Sequence, residues 1–301
     1  MSDPYEVLLF GEALVDQFEE RTVVGGAPLN VARHLAGLGL KPLLITRIGR
    51  DAVGELIRAE FARFGLSEDA LQLDPHLGSG RVRVHATAGG EHRFEILEAR
   101  AYDAIEAAPA LAAARAAAGA TLYFGSLAQR AAGSRLSLAQ LRREHRGPGF
   151  CDLNWRENQL PLAEALPSLR GCSTLKLNET ELRLLQQQLC LPSSTARALL
   201  GQLGIGQLLV SCGAHGAWSL DSEGRRQEVA APAQDRLVDT VGAGDAFAAV
   251  MLCAQRRGWP LPQALQRATA FASAICGIRG AVPDSLDFYK PWRQAWALRC
   301  A

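Results

Sequence analysis

A doubly wound α/β fold on a mainly parallel sheet is predicted by two features of this 301-residue sequence. Short, wholly apolar runs recur along almost the whole chain, and they read as strands buried on both faces. Longer patterns with a single apolar face separate these runs and read as helices. The strands are Val7–Phe10, Leu43–Ile45, Thr121–Phe124, Phe150–Leu153, Thr174–Leu177 and Leu208–Val210. A first helix spans Pro28 to Leu38, with Val31, Leu35 and Leu38 on one face. A second runs from Val53 to Phe64 and stops at Gly65, a residue suited to the left-handed position after a helix. The Ala-rich stretch from Ala107 to Ala120 is a helix of good formers. A last helix, Ala246 to Arg256, is predicted to follow a strand end at Val238.

One segment breaks this rhythm. Arg81–Ala86 and His92–Ile96 alternate with period two around the turn Ala88-Gly89-Gly90-Glu91, which predicts a hairpin with one apolar face. An isolated hairpin is marginal in water, so that face must cover a site or a partner subunit.

Lys plus Arg number 32 and Asp plus Glu 31, a formal charge of +1, which excludes a broad footprint for nucleic acid or an acidic membrane. The longest mostly apolar stretch, residues 101–128, is interrupted by Asp103, Glu106, Pro109 and Arg115, so no membrane span is expected. The seven cysteines form no C-x-x-C pair and the six histidines are scattered. Buried free thiols and a cytoplasmic location are the simplest expectation.

Four segments carry candidate chemistry. In Val238-Asp239-Thr240-Val241-Gly242-Ala243-Gly244-Asp245 the glycines permit close backbone approach at a helix start. A helix N-terminus offers unpaired N–H groups and a positive dipole end, which suit a phosphate. Asp245, in that first turn, is then able to take a proton from a substrate hydroxyl; a turn glycine followed by a helix-start aspartate is the plain structural alternative. The second segment, Gly25-Gly26-Ala27-Pro28-Leu29-Asn30, combines a glycine pair with Pro in the first helical turn and offers an amide to sugar hydroxyls. Asp16, just beyond the first strand, stands where open α/β sheets bind ligands, or is an ordinary loop carboxylate. In the third, Asn178 and Glu181 have the spacing of a helix capping box, which is compatible with Glu181 reaching Mg²⁺ through water. The fourth, Ser211-Cys212-Gly213-Ala214-His215-Gly216, is either a small-residue surface for a nucleotide base or a simple hairpin turn. There is no G-x-x-x-x-G-K-[ST] loop, no Gly-x-Gly-x-x-Gly after the first strand and no Gly-x-Ser-x-Gly elbow.

Together, and in this order, the segments resemble the ribokinase-like (PfkB-type) carbohydrate kinases over nearly the whole chain. Val238–Phe247 is similar to the C-terminal signature of that family, Gly25–Leu38 to its glycine-pair motif, and Asn178 with Glu181 to its Asn-x-x-Glu motif. The resemblance implies one kinase domain over residues 1–301, with β lid elements within about 11–25 and 80–100. It implies ATP-dependent phosphorylation of a primary hydroxyl on a small carbohydrate. Asp245 would be the base, with Gly242, Ala243 and Gly244 forming the anion hole. Asp16, Gly25, Gly26 and Asn30 would hold the sugar, and Arg100 would be the lid's contribution. Asn178 and Glu181 would organise Mg²⁺ and the phosphates, while Ser211, Gly213 and Gly216 would line ATP. Asp239 and Val241 fall where many members bind K⁺, and the lid pairs two subunits in many members.

Within the family, Gly11–Asp16 and Gly25–Ala32 look most like fructokinases. Asp152-Leu153-Asn154-Trp155-Arg156 is similar to a segment shared by fructokinases and 2-keto-3-deoxygluconate kinases, which adds Asn154 and Arg156 to the sugar site. Arg156 would pair a substrate carboxylate, or instead form a structural salt bridge. After the lid, Glu98-Ala99-Arg100-Ala101-Tyr102-Asp103 departs from the fructokinase pattern of an aromatic-Arg pair followed by Ala-Asp. The alternatives to fructose are therefore 2-keto-3-deoxygluconate, another sugar or a nucleoside. A sugar-binding protein without turnover is the non-enzymatic alternative.

Overall fold

The computed structural model describes residues 5–86, 92–192, 196–233 and 236–298. The first half contains β1 (Val7–Phe10), β2 (Leu14–Gln17), β3 (Thr22–Gly25), α1 (Ala27–Gly37), β4 (Pro42–Gly49), α2 (Ala52–Phe64), β5 (Leu71–Asp74), β6 (Gly80–Ala86), β7 (His92–Ile96), α3 (Ala107–Ala116), β8 (Thr121–Phe124) and α4 (Ala132–Glu144). The second half continues with β9 (Gly149–Asp152), α5 (Leu162–Leu169), β10 (Thr174–Asn178), α6 (Glu179–Gln188), α7 (Ala196–Leu203), β11 (Gln207–Ser211), β12 (Ala217–Asp221), β13 (Arg226–Val229), α8 (Ala243–Arg257), α9 (Leu261–Cys276) and α10 (Lys290–Ala295).

Nine strands form the main sheet in the order β13-β12-β11-β10-β9-β8-β1-β4-β5. From β11 to β5 every neighbour is parallel, while β12 and β13 extend the edge antiparallel. Both faces are covered, as a parallel sheet requires. Leu8, Phe10, Cys151, Leu175 and Leu177 point into a core with α3 to α7. Val7, Leu9, Tyr123 and Phe150 point the other way, against α1, α2, α8 and α9. This period-two alternation lets a charged residue on one of these strands reach the α1/α8 layer while its neighbours stay apolar.

Gly65 ends α2 in the left-handed conformation, φ 63°, as its position predicts. The segment before α8 differs from expectation: residues 236–240 form no strand, and the N–H groups of Val238 and Asp239 both bond to the Cys276 carbonyl at 2.9 and 3.2 Å. The α3 helix also stops at Ala116, short of Ala120.

A second sheet has the order β3-β2-β6-β7. The β6–β7 pairing aligns Val82 with Ile96 and Val84 with Phe94. The expected turn at residues 88–91 lies outside the described residues. Val82 and Val84 are buried within the chain itself, so much of the apolar row is already covered, and Phe94 is the large residue left outside at 55% exposure. Among the six described cysteines, all free, Cys151, Cys172 and Cys253 are buried as expected; Cys190 is exposed and Cys212 and Cys276 are half-buried. No described helix is long and apolar enough to cross a membrane.

Candidate active site

The parallel strands deliver their carboxyl ends to one edge of the main sheet, where open α/β folds hold ligands. Beyond β1 the chain passes through Gly11 and Glu12 into β2, whose register sets Asp16 opposite Val23 and Val82. Gly25 lies beside Asp16, and a Cβ there would stand 3.2 Å from Asp16 Oδ2, so the absent side chain leaves room for the carboxylate. Burial pushes the Asp16 carboxyl up to about 6, with Arg156 opposing. Gly26 caps the N-terminus of α1 and its carbonyl accepts from the Asn30 N–H at 2.8 Å. Asn30 Nδ2 then donates to Asp245 Oδ2 at 2.7 Å, joining the glycine-pair segment to α8 across 215 residues.

Gly242 caps α8 at φ 79°, and a Cβ there would lie 2.4 Å from Ala281 Cα, so both conformation and space demand glycine. The α8 N–H groups of Gly244 and Asp245 have no hydrogen-bond partner among the described residues. They form the open positive end of a 15-residue helix. Asp245 is 8% exposed. Burial pushes its carboxyl up to about 6, the Asn30 bond pulls it down, and Asp152 adds to the rise. A proton acceptor near neutrality beside unpaired amides suits proton removal coupled to anion stabilisation.

Two charged residues on otherwise apolar strands complete this floor. Asp152 ends β9 and Lys176 lies directly opposite on β10. Lys176 Nζ donates to both Asp152 oxygens at 2.9 Å, with both residues buried. Burial alone would lower the ammonium's pKa, but the Asp152 carboxylate outweighs it and holds the group above its ordinary value. A Cβ on Gly244 would lie 3.2 Å from Lys176 Nζ, which sets this cation against the first turn of α8.

Asn178 and Glu181 form the capping box predicted for them: Asn178 Oδ1 accepts from the Glu181 N–H at 2.9 Å and Glu181 Oε2 from the Asn178 N–H at 2.8 Å. Glu181 Oε1 also accepts from the Trp155 N–H at 2.7 Å. Both oxygens are thus engaged by backbone, leaving lone pairs suited to water rather than to direct metal ligation. Burial, then the nearby Asp152 carboxylate, raises the Glu181 pKa. No group of three or more metal-ligating side chains occurs among the described residues. Such a donor set fits Mg²⁺ carried in by phosphates and met through water, not a dedicated protein cage.

The Trp155 bond turns the loop after β9, with Asn154 in the left-handed region at φ 40°, a conformation Asn tolerates. This places Arg156 on the exposed side of the cluster, where its charge acts on Glu12, Asp16 and Asp245. Arg156 has no ion-pair partner among the described residues, so the structural salt bridge is not found.

Other predicted residues lie at the margins. Ser211 is paired in register with Asn178 at the strand ends, and Gly213 faces open space. Gly216 packs against its own chain, where a Cβ would strike the Val229 carbonyl at 2.0 Å, so its small size serves the hairpin between β11 and β12. Asp239 spans two loops, accepting from the Val241 and Gly280 N–H groups at 3.0 Å each; Val241 is exposed. Arg100 folds onto the Glu98 carbonyl at 3.0 Å and makes no hydrogen bond or ion pair with Asp16, Asn30 or Asp245. Beside it, the Asp103 carboxylate is clamped by Arg130 through two 2.8 Å bonds.

Sequence reasoning quoted Glu12 and Asp152 within its motifs but gave no role to either, or to Lys176. The signal was present, since a Lys inside Leu175-Lys176-Leu177 is costly to bury without a partner. Glu12 is buried with Oε2 unpartnered, and burial pushes its carboxyl up to about 7.

The family model for pfkB family carbohydrate kinases matches residues 3–287. The aminoimidazole riboside kinase of Salmonella typhimurium is 29% identical over 94% of each chain. The Klebsiella pneumoniae fructokinase is 30% identical over 82% of this chain and 83% of its own. Among solved structures, the Xylella fastidiosa fructokinase with bound ATP shares the fold at TM-score 0.81, with 21% identity over 97% of this chain and 99% of its own. The Salmonella enterica aminoimidazole riboside kinase, in complex with aminoimidazole riboside and an ATP analogue, superposes at TM-score 0.78, with 26% identity over 94% of this chain and 99% of its own. Motif order, sheet topology and these likenesses converge: the chain belongs to the pfkB family of carbohydrate kinases and is a phosphotransferase acting on a sugar hydroxyl.

Proposed function

We propose that this enzyme transfers the γ-phosphoryl group of ATP to a primary hydroxyl of a small sugar, with fructose as the leading substrate. The observation that carries the reading is the buried Asp245 carboxylate at the unpaired N-terminus of α8, 2.7 Å from Asn30 and beside the Lys176 ammonium. A sugar alcohol is a weak nucleophile, and phosphoryl transfer depends mainly on positioning and charge stabilisation. Asp245 accepts the hydroxyl proton as the new O–P bond forms and the bond to the departing ADP oxygen breaks. The α8 amides and Lys176 face the charge on the transferring group, while Asp16 and Asn30 orient the sugar. Bound with the nucleotide, Mg²⁺ would offset phosphate charge, with Glu181 facing it through water and Asn178 alongside. Asn178, Ser211 and Gly213 border the nucleotide, and K⁺ at the Asp239–Val241 loop would brace the start of α8. Phe94, exposed on the small sheet, supports pairing of two lids into a homodimer.

The unpaired Arg156, facing the carboxylate cluster, favours a second reading in which the sugar carries its own carboxylate, as 2-keto-3-deoxygluconate does. The aminoimidazole riboside kinase at 29% identity also keeps a riboside in view. The test is coupled ADP release from MgATP across fructose, 2-keto-3-deoxygluconate, ribose, tagatose 6-phosphate, adenosine, inosine and aminoimidazole riboside, with and without K⁺. Turnover strongest on fructose is expected. Preference for the sugar acid, abolished by Arg156→Met, would transfer the assignment to the second reading, and silence on every compound would overturn both.

A further inference from the structure

Asn30 has two ends, and both are taken. Its Nδ2 donates to Asp245 Oδ2 at 2.7 Å, while its Oδ1 accepts from Arg33 Nη2, one turn along α1. A guanidinium carries only donors, so whichever amide atom faces it must be the carbonyl. That leaves the NH₂ group facing the carboxylate. Reversing the amide would set NH₂ against the guanidinium and the carbonyl against Asp245, two repulsive contacts in place of two bonds.

Arg33 is itself held from three sides. Its Nη1 bonds Glu60 Oε2 at 2.8 Å on α2, its Nη2 bonds the Val24 carbonyl at 3.0 Å on β3, and Nη2 also reaches Asn30. The residue is 1% exposed. Burying a guanidinium this deeply is costly unless its donors are engaged; both Nη groups are, though Nε has no partner among the described residues, and the fork geometry makes its placement rigid. Glu60 is fixed in turn by Arg63 at 2.8 Å. Of the residues in this chain of contacts, Asn30 alone hydrogen-bonds Asp245.

We propose that Arg33 is a positioning residue for Asp245: its buried guanidinium locks the Asn30 amide in the orientation that donates to the Asp245 carboxylate. The catalytic carboxylate is thereby aimed and kept ionisable by a charge lying one residue further back. Asp245 is also faced by Asp152 and Lys176 from the strand ends, by Arg156 from the loop after β9 and by Glu12 from the loop after β1. None of these is attached to Arg33, so its removal isolates the amide. Without the lock, the carbonyl of Asn30 can face Asp245 and disfavour its ionised form. The protonation midpoint of Asp245 should then rise.

The inference rests on Asp245 as the proton acceptor only for its kinetic consequence, so the test begins on the protein without sugar. The Asp245 carboxyl carbon is followed by NMR against pH, and assigned by its loss in Asp245→Asn. Arg33→Met keeps the side-chain volume, and Glu60 retains Arg63 in that variant. Arg33→Met and Asn30→Ala should each raise the midpoint by on the order of one pH unit. The double variant should rise no further than Asn30→Ala alone, because both act through one contact. The acid limb of kcat/KM should move the same way, with kcat falling more than KM for the sugar rises, and Arg33→Lys should recover part of the shift. If Arg33→Met does not fold, Glu60→Gln, at a position that reaches solvent, loosens the same anchor and should give a smaller rise. A folded variant with an unmoved midpoint, or additive effects with Asn30→Ala, would overturn the proposal. Absence of turnover on all sugars would instead sink the kinase reading, while the carboxyl midpoint still decides the role of Arg33.

Discussion

Replacing Lys176 by Met removes the cation that bonds both oxygens of Asp152 at 2.9 Å. Methionine fills similar space, so the perturbation is the loss of charge rather than a cavity. Asp152 is 1% exposed, and its remaining neighbour with a donor is the Tyr123 hydroxyl, at a long 3.4 Å. Stripping one partner from a buried ion pair costs about 3–5 kcal/mol. For a chain of this length about 1 kcal/mol corresponds to about 2 °C in Tm. The expected loss is therefore about 6–10 °C by differential scanning calorimetry at neutral pH. The double variant Asp152→Asn with Lys176→Met removes both charges of the pair and should recover more than half of that loss. Turnover should not recover with it: Lys176 also stands against the first turn of α8, and kcat in both variants should fall at least about tenfold. A Tm within about 2 °C of wild type for Lys176→Met would refute the premise that the buried Lys176–Asp152 contact stabilises the fold.

Asp245→Asn should cut kcat by about a thousandfold or more while sugar affinity, measured by calorimetric titration, changes little, since the amide preserves shape but cannot accept the proton. The Glu12 carboxyl, at about 7, lies above its unfolded value, so ionised Glu12 works against folding above that pH, and the penalty disappears as pH falls below the unfolded value. Glu12→Gln should accordingly stabilise the enzyme by about 3 kcal/mol at pH 8 and not at all near pH 4, a difference read from paired urea titrations. The glycines offer a contrast: Gly242→Ala meets Ala281 Cα at 2.4 Å and should abolish most turnover, whereas Gly213→Ala meets nothing within 4 Å. The latter should cost about 1 kcal/mol for its left-handed backbone and leave kcat near wild type.

The sequence by itself determined six strands of the main sheet, the helices α1, α2, α3 and α8, and the family. Parallel strands buried on both faces must be apolar throughout, so Val7–Phe10 and Thr121–Phe124 were legible to the residue. Capping rules located the end of α2 at Gly65 and the Asn178–Glu181 box, because these are contacts within a few residues. The motif glycines, Asp16, Asn30 and Asp245 were singled out from short motifs and the family resemblance those motifs carry, and the fold brings Asn30 against Asp245. What only the tertiary structure decided is which distant groups meet. Asp152 pairs with Lys176 because two strands lie in a particular register, which the separate runs do not encode. Arg33 sits off the apolar stripe of Val31, Leu35 and Leu38, yet it is buried because α2 and β3 close over it through Glu60, Phe64 and Val24. The stretch before Gly242 reads as a strand from its valines, but it has no sheet neighbour to bond, and its N–H groups turn to Cys276 instead. Local pattern fixes elements because they are built from neighbours in sequence. Charge pairing, burial and the protonation of Asp245 arise from neighbours in space, and these exist only once the chain has folded.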